Sequence, residues 1–305
     1  MYSNRSSLIT LALILAGCGS TPPAPVQQAA AIVPPPVVVL APKKIRIGLA
    51  LGGGAARGFA HIGVIKALEA QGIHPEIVVG TSAGSVVGAL YASGLGGFEL
   101  QKTAMEMDEA TISDWALPLF GSSTGVLKGA ALQNYVNKAV KNQPMEKLKL
   151  RFGAVATDLK NGEPILFQRG NTGQAVRASS AVPSVFQPVK IGTRSFVDGG
   201  LVAPVPVRFV REMGADFIIA VNISTQTDVQ ATVSSLDVLM QTFTIMGQRL
   251  NHYELKDADI VIQPALGKMG GADFNGRNLA ILAGEQAAAA VMPQIKAKLK
   301  ARQQP

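Results

Sequence analysis

A serine stands at the centre of the pentapeptide Gly80-Thr81-Ser82-Ala83-Gly84, between an apolar run and a segment of small residues. In this G-x-S-x-G pattern the glycines allow a turn so tight that the serine is raised above the edge of a sheet. A helix that follows such a turn directs its free amides and partial positive charge at the same point. The pattern therefore predicts a nucleophilic serine, with a purely structural turn as the alternative.

A glycine-rich segment, GGGAARG at residues 52–58, lies upstream of that serine. Consecutive glycines let backbone amides approach a ligand and bind an anion. These amides could receive the pyrophosphate of a dinucleotide, or they could form an oxyanion hole for acyl transfer. We favour the oxyanion hole, because a nucleotide site would leave the nearby serine elbow without a function. The segment also lacks the G-x-x-x-x-G-K-[ST] pattern of a Walker A loop.

A serine hydroxyl needs a base before it can attack an ester. An α/β-hydrolase would use an acidic residue and then a histidine, and His252 is the histidine that stands late enough in the chain. Such hydrolases reach their elbow after several strands, however, and here it follows the second predicted strand. We expect His61, on the first predicted helix, to be a packing or capping residue. The segment that ends in Asp198-Gly199-Gly200 offers a base without histidine, and a β-turn aspartate is the alternative there.

The elements that must position these residues alternate between strands and helices. Strand–helix–strand–helix order at the start of the folded part implies a doubly wound, parallel sheet. We therefore predict an α/β fold with three layers and a mostly parallel sheet. The apolar patterns predict strands at 45–51, 76–79, 152–157, 216–222 and 259–262, and helices at 59–71, 83–93, 235–252 and 277–301.

The ordered set GGGAARG, GTSAG and DGG resembles the patatin-like phospholipase family, in particular bacterial members related to the neuropathy-target-esterase branch. The resemblance covers residues 45–211 and includes the segments 154–159 (AVATDL) and 177–183 (RASSAVP). It implies the patatin-like α/β fold and a Ser–Asp dyad that hydrolyses acyl esters without histidine, metal or cofactor. Its expected substrates are phospholipids or lysophospholipids.

Carried over by motif, the resemblance implies that Ser82 is the nucleophile and Asp198 the base. Gly53 and Gly54 would supply the oxyanion amides, and Arg57 would stand at the same oxyanion hole. Plant patatins have one residue between the triple glycine and the basic residue, whereas this chain has two alanines there. The main alternative function is a non-catalytic or nucleotide-binding lipoprotein that uses the GGGAARG loop.

Composition excludes several classes of protein. Of the 305 residues, 48% are hydrophobic, which excludes disorder, and no apolar run reaches the ~18–20 residues of a membrane span. The formal net charge is +8, but the 28 Lys and Arg are scattered and aromatic residues make up 5%. This pattern argues against nucleic-acid binding and suits an anionic membrane surface. One cysteine and three histidines argue against disulfides within the chain and against a metal centre, and we expect no cofactor.

The single cysteine, Cys18, follows a positively charged start and an apolar run at 8–17. That run is too short to span a membrane and suits a signal peptide. The sequence LAGC resembles the lipobox of bacterial lipoproteins, in which the cysteine receives diacylglycerol, and an ordinary signal peptide is the alternative. We therefore predict a lipoprotein signal peptide at 1–17, and Gly19 after the cysteine implies, by the same resemblance, the periplasmic side of the outer membrane if the source is Gram-negative.

Residues 18–43 contain seven prolines, which favour an extended backbone, so we expect a semi-rigid tether between a lipid anchor and a folded domain. Residues 44–305 would form the patatin-like domain. Within it, residues 95–150, with Trp115 and Phe120, could form an apolar lid or acyl pocket over the serine, or an ordinary helical layer. The sequence does not indicate an oligomeric state.

Overall fold

The computed structural model describes Gly19 and residues 44–107, 125–224 and 234–303. The predicted signal peptide, Cys18 and all of the tether except Gly19 lie outside the described residues, as do Trp115 and Phe120. The described residues from 44 onward belong to one compact unit. The domain boundaries drawn from the sequence stay a prediction.

Strands and helices alternate along the described chain. The predicted elements are all present, with ends that differ by one or two residues. The strands are β1 (Ile47–Leu51), β2 (Ile77–Thr81), β3 (Gly125–Leu127), β4 (Arg151–Asp158), β5 (Pro164–Phe167), β6 (Ser184–Phe186), β7 (Val189–Ile191), β8 (Arg194–Asp198), β9 (Phe217–Val221) and β10 (Ile260–Ile262). The α-helices are α1 (Phe59–Glu69), α2 (Ala83–Ala92), α3 (Gly97–Glu106), α4 (Ala130–Ala139), α5 (Thr172–Ser179), α6 (Val207–Glu212), α7 (Ser235–Glu254) and α8 (Arg277–Gln303).

Eight of the described strands form one sheet, in which β10, β9, β1, β2 and β4 are neighbours in that order, β5 and β8 both pair with β4, and β7 pairs with β8. The strands from β10 to β4 in this order are parallel to one another. Strands β5, β7 and β8 are antiparallel additions that the sequence did not predict. The predicted fold class, α/β with a mostly parallel sheet, is confirmed.

Helices cover both faces of this sheet. In β1, the side chains of Leu49 and Leu51 pack into a core with α1, α2 and α8. Ala50, between them, packs on the opposite face with residues of and around α6. This alternation is the two-residue period of a strand that is buried on both sides, and it makes the predicted three layers.

Strand β4 carries the ends of β2 and β8 on the same edge. Ala154 pairs with Gly80 of β2 on one side and with Phe167 of β5 on the other. Ala156 pairs with Asp198 of β8 and also with β5. Because β5 occupies one edge of β4 along this stretch, β2 and β8 share the other edge and run toward each other.

The two strands end opposite consecutive residues of β4. Thr81, the last residue of β2, pairs with Val155, and Asp198, the last residue of β8, pairs with Ala156. Consecutive residues of a strand are about 3.3 Å apart along its axis. The backbone of Ser82, which follows Thr81, therefore lies next to that of Asp198.

A glycine after β8 is needed for this close approach. A Cβ atom added at Gly199 would lie 2.1 Å from the Val155 carbonyl oxygen and 3.2 Å from Cγ2 of Thr81. The Thr157 hydroxyl also donates a hydrogen bond of 2.8 Å to the Asp198 carbonyl oxygen. Close packing and this hydrogen bond together hold the end of β8 against β4.

We expect Gly199→Ala to lower the free energy of unfolding by about 1–3 kcal/mol, because the added methyl group has no room beside β4. Urea denaturation measures the change. Gly270→Ala is a matched control, since nothing lies within 4 Å of a Cβ added there, and it should shift the free energy by less than about 0.5 kcal/mol. Equal stability of the two variants would contradict the packing described for this edge.

Candidate active site

Ser82 lies at a sharp turn between β2 and α2, with φ 52° and ψ −124°. Residues other than glycine rarely adopt this backbone region, and they do so where the surroundings impose it. The Ser82 amide donates to Oγ of Ser179 at 3.0 Å, and that hydroxyl donates to the Val155 carbonyl at 2.6 Å. The Ser82 carbonyl accepts a hydrogen bond of 2.7 Å from Oγ of Ser85. These contacts hold the strained turn at both the amide and the carbonyl group of Ser82.

The glycines of the pentapeptide make room for this turn. A Cβ atom at Gly80 would lie 2.3 Å from the carbonyl carbon of Gly84, and one at Gly84 would lie 2.1 Å from the Leu51 carbonyl oxygen. Gly80 and Thr81 belong to the end of β2, and Ala83 is the first residue of α2. The structure therefore has the strand–turn–helix arrangement that the G-x-S-x-G pattern predicts.

Asp198 is 5% exposed. Its Oδ1 accepts a hydrogen bond of 2.6 Å from the Gly200 amide, while its Oδ2 is buried without a hydrogen-bond partner among the described residues. Burial raises the pKa of Asp198 to about 6, against the opposing effects of the Gly200 amide and the Ser82 side chain. Ser82 thus lies close enough to lower this pKa, although the two side chains do not meet in ordinary hydrogen-bond geometry. Catalytic hydrogen bonds often tighten only when substrate binds.

An apolar cavity of about 190 Å³ opens beside Ser82. Helices α1 to α4 and the segment after α5 form its walls, and Phe274 closes one side. The described part of the predicted region 95–150 therefore forms part of the wall of a pocket whose apolar lining suits a hydrocarbon chain. Residues that line the cavity include Ala55, Ala56, Phe59, Ile62, Ala83, Val86, Val87, Leu90, Leu100, Ala104, Met107, Leu132, Tyr135, Ser180, Val182 and Phe186.

The glycine loop passes directly beside the serine, since a Cβ atom at Gly53 would lie 3.3 Å from Cβ of Ser82. The Gly53 amide, however, donates to the Pro204 carbonyl at 2.9 Å. This donor is therefore already used in the structure, and an oxyanion role for the Gly53 amide stays a prediction that this geometry does not support. The amides of Gly54 and Ala55 make no hydrogen bond to any residue in the described part of the chain. Ala55 lines the cavity and has a strained φ of 50°.

Arg57 is buried, and its guanidinium binds backbone carbonyl groups and does not line the cavity. Nε donates to Ile223 at 2.7 Å, and the terminal nitrogens donate to Ser224 at 2.8 Å and to Met269 at 3.3 Å. Burial lowers its pKa from the ordinary value of arginine. The expected contribution of Arg57 to the oxyanion hole stays a prediction that these contacts do not support. Its side chain ties the glycine loop to the segments after β9 and β10.

The structure places the two candidate histidines in different surroundings. His61 is fully buried on α1, its Nε2 lies 2.8 Å from the Gly52 carbonyl oxygen, and burial lowers its pKa to about 4. The ring is thus neutral at physiological pH and donates to that carbonyl, which fits the predicted packing role. His252 is exposed on α7 next to the Tyr253 ring and does not line the cavity. It therefore does not fit the histidine of a hydrolase triad.

Two features are absent from residues 44–107, 125–224 and 234–303. None of the helices within these ranges is both long and apolar enough to cross a membrane. In the same ranges, no cluster of three or more His, Cys, Asp or Glu side chains is arranged to hold a metal ion.

A family model described as "Patatin-like phospholipase" matches residues 49–211. The chain belongs to the patatin-like phospholipase family. The matched range includes the glycine loop, the serine elbow and the Asp-Gly-Gly segment, so the family identified from the sequence motifs is confirmed. The matched range also contains β4 and the edge on which β2 and β8 meet.

Relatives of this chain include an uncharacterized NTE family protein of Mycobacterium tuberculosis, with 38% identity over 179 residues, 59% of this chain and 49% of the relative. The human patatin-like phospholipase domain-containing protein 6 is 31% identical over 210 residues, 67% of this chain and 15% of its own length. Lysophospholipase NTE1 of Coccidioides immitis is 35% identical over 184 residues, which cover 60% of this chain and 12% of the relative. The chain spans about half the length of the mycobacterial relative and less of the other two.

Two solved structures are similar at low sequence identity. VipD from Legionella pneumophila has a TM-score of 0.49 and 13% identity, covering 83% of this chain and 68% of its own. Full-length ExoU from Pseudomonas aeruginosa has a TM-score of 0.47 and 14% identity, covering 87% of this chain and 54% of its own.

The raised pKa of Asp198 predicts a pH-dependent cost in stability. Below about pH 4 the carboxyl group is protonated in both the folded and the unfolded chain, so its burial carries no penalty for charge. Between about pH 4 and pH 6 the unfolded chain loses this proton while the folded chain keeps it, so the folded state loses stability relative to the unfolded state; above about pH 6 both states are ionised and the loss is complete.

We expect Asp198→Asn to raise the free energy of unfolding by on the order of 2–3 kcal/mol at about pH 8 and to change it little at about pH 4. Denaturant unfolding at several pH values measures this difference. Asp257→Asn, at an exposed position, is the control and should change stability little at either pH. A loss of stability in Asp198→Asn at the higher pH would contradict the described burial of this charge.

Proposed function

We propose that this protein is a lipid ester hydrolase of phospholipase A or lysophospholipase type, with Ser82 as nucleophile and Asp198 as base. The observation that carries the proposal is the meeting of β2 and β8 on one edge of β4, which sets a strained serine beside a buried aspartate. Membership of the patatin-like phospholipase family and the apolar cavity beside Ser82 support a lipid substrate. One relative carries the name lysophospholipase.

In the proposed first step, Oγ of Ser82 attacks the carbonyl carbon of the ester while Oδ2 of Asp198 takes the hydroxyl proton. The amides of Gly54 and Ala55, together with the N-terminus of α2, stabilise the oxyanion that forms. Asp198 then gives the proton to the departing alcohol oxygen, and an acyl-Ser82 ester remains. Water hydrolyses this ester with help from the same carboxylate.

The environment of Asp198 suits the work of a base. A carboxylate with a pKa of about 6 accepts a proton more readily than an ordinary aspartate, yet it remains ionised at neutral pH. One of its oxygens is held by the Gly200 amide, so the carboxylate has a defined orientation. The other oxygen is available to the serine hydroxyl because no described residue binds it.

The acyl chain would occupy the cavity, whose walls are almost entirely apolar. Burial of each CH₂ group there stabilises the complex by about 0.8 kcal/mol. The polar headgroup would stay on the outer side of Ser82, in contact with water or the lipid surface. This arrangement explains why the hydrolase would prefer fatty-acyl esters to esters of short polar acids.

The nucleotide-binding alternative has less support from the same loop. The Gly53 amide is bound to Pro204, and Arg57 is bound to three carbonyl groups, so neither is available to a pyrophosphate. The cavity that the loop borders is apolar, whereas a nucleotide requires polar partners for its ribose and phosphates.

We expect the full chain to react with a fluorophosphonate probe, because this reagent traps an activated serine, and we expect Ser82→Ala to lose the label. Asp198→Asn should reduce turnover by about 10²–10⁴-fold because the serine loses its base. His252→Ala should act like the wild type, since that side chain is exposed away from the cavity. Gel fluorescence and hydrolysis of a panel of phospholipids and lysophospholipids measure these effects.

Two results would overturn the proposal. An unlabelled wild type whose melting temperature rises on addition of a nucleotide would support the nucleotide-binding alternative. A large loss of turnover in His252→Ala, at unchanged stability, would instead support a Ser–Asp–His triad.

We further propose that the mature protein is a lipoprotein anchored through Cys18 at the periplasmic side of an outer membrane. The lipobox-like sequence LAGC, the preceding apolar run and the proline-rich tether support this proposal. A tethered hydrolase would remain next to its lipid substrate. The scattered positive charge of the chain would add to its attraction for an anionic surface.

The full chain, expressed in a Gram-negative host fed with an alkyne analogue of palmitate, should carry the label and sediment with membranes. Cys18→Ser should abolish the label and the membrane association, because the acylated thiol is absent. Gly19→Asp serves as the control for sorting and should move the labelled protein to the inner membrane. A wild-type protein that is unlabelled and recovered in the soluble periplasmic fraction would contradict the anchor.

A further inference from the structure

Oδ2 of Asp198 and Oγ of Ser180 are buried and have no hydrogen-bond partner among the described residues, as is also true of the Tyr135 hydroxyl elsewhere on the cavity wall. Buried polar atoms are nearly always paired in proteins, so two unpaired atoms at one site require an explanation. Ser180 is 8% exposed and lines the same cavity as Ser82. Ser180 therefore borders the space in which the ester would react, with its hydroxyl buried in the wall.

The backbone holds Ser180 between the two residues that tether the dyad. The hydroxyl of its preceding neighbour, Ser179, accepts a hydrogen bond of 3.0 Å from the Ser82 amide. The carbonyl of its following neighbour, Ala181, accepts one of 2.9 Å from the Asp198 amide. Ser180 thus lies at the end of α5 between two residues that are hydrogen-bonded to the nucleophile and to the base.

We propose that the Ser180 hydroxyl and Oδ2 of Asp198 together hold the water molecule that hydrolyses the acyl-enzyme, an inference that rests on the proposed function. Asp198 alone offers this water one oxygen, because the Gly200 amide occupies the other. A single hydrogen bond leaves the water free to rotate. A second bond, donated by the Ser180 hydroxyl to the water oxygen, directs the remaining lone pair at the acyl carbon.

The proposed step transfers one proton and exchanges one bond. The water donates a proton to Oδ2 of Asp198 while its oxygen forms a bond to the acyl carbon of acyl-Ser82. The bond between that carbon and Oγ of Ser82 then breaks, and Asp198 returns the proton to Oγ. A fatty acid leaves, and Ser82 and Asp198 regain their starting states. Ser180 keeps its own proton throughout.

This role makes a specific kinetic prediction, because water takes part in the second half-reaction and not in the first. Ser180→Ala should slow deacylation by about 10- to 100-fold, with a much smaller effect on acylation. Stopped-flow hydrolysis of a p-nitrophenyl fatty-acyl ester should then show a burst of p-nitrophenolate close to the enzyme concentration. Mass spectrometry of the quenched variant should find the acyl group on Ser82.

A matched control removes another serine hydroxyl far from the dyad. Oγ of Ser93 donates to the Leu90 carbonyl at the opposite end of α2 from Ser82, about 15 Å away along a ten-residue helix. Ser93→Ala should leave both half-reactions near their wild-type rates. Hydroxylamine, a stronger nucleophile than water, should increase turnover of Ser180→Ala more than that of Ser93→Ala.

The outcomes separate this inference from the proposed function. If neither the wild type nor Ser180→Ala ever forms an acyl-Ser82 ester, the proposed function fails. If Ser82 is acylated but Ser180→Ala slows both half-reactions equally, Ser180 acts on the ester itself and the inference is overturned. A change confined to KM would give Ser180 a role in binding the acyl chain and would equally overturn it.

Discussion

The candidate site depends on one feature of the sheet, the edge of β4 on which β2 and β8 meet end to end. Strand β2 arrives parallel to β4 and β8 arrives antiparallel, and they stop opposite Val155 and Ala156. A helix begins after β2, and the Asp-Gly-Gly turn follows β8, so both chains leave the sheet at the same place. Ser82 and Asp198, which are far apart in the sequence, therefore become neighbours at the ends of two strands. Glycines allow this approach, since a Cβ atom at Gly199 would overlap the Val155 carbonyl group.

The same crowding gives the site its chemical character at a cost in stability. Asp198 is buried with one unpaired oxygen, and Ser82 and Ala55 are held at positive φ. Each of these features is unfavourable by itself, and the surrounding hydrogen bonds, such as those of Arg57 and Ser179, hold them in place. Burial makes the carboxylate a stronger base, and the strained elbow exposes the hydroxyl to the cavity. Strain and unpaired polar atoms thus occur together where the proposed chemistry would take place.

The sequence predicted well what local patterns encode. Apolar runs such as 216–222 and the glycines around Ser82 indicate buried parallel strands and a tight turn, because these depend on neighbouring residues. The antiparallel strands β5, β7 and β8 have four, three and five residues, which is too short for a periodic pattern to separate them from loops. The bound state of Gly53 and Arg57 could not be predicted for a different reason. Their partners, Pro204 and the carbonyl groups near 223 and 269, are more than a hundred residues away, and no local signal shows that these donors are already used.

The central claim is that Ser82 and Asp198 act as one catalytic unit without histidine. A double-mutant cycle tests it most directly, with kcat/KM measured on one lysophospholipid for Ser82→Ala, Asp198→Asn and the double variant. Residues that act as a unit have non-additive effects, so the double variant should be no slower than Ser82→Ala alone. If the losses of the two single variants multiply in the double variant, the residues act independently and the account of this site is contradicted.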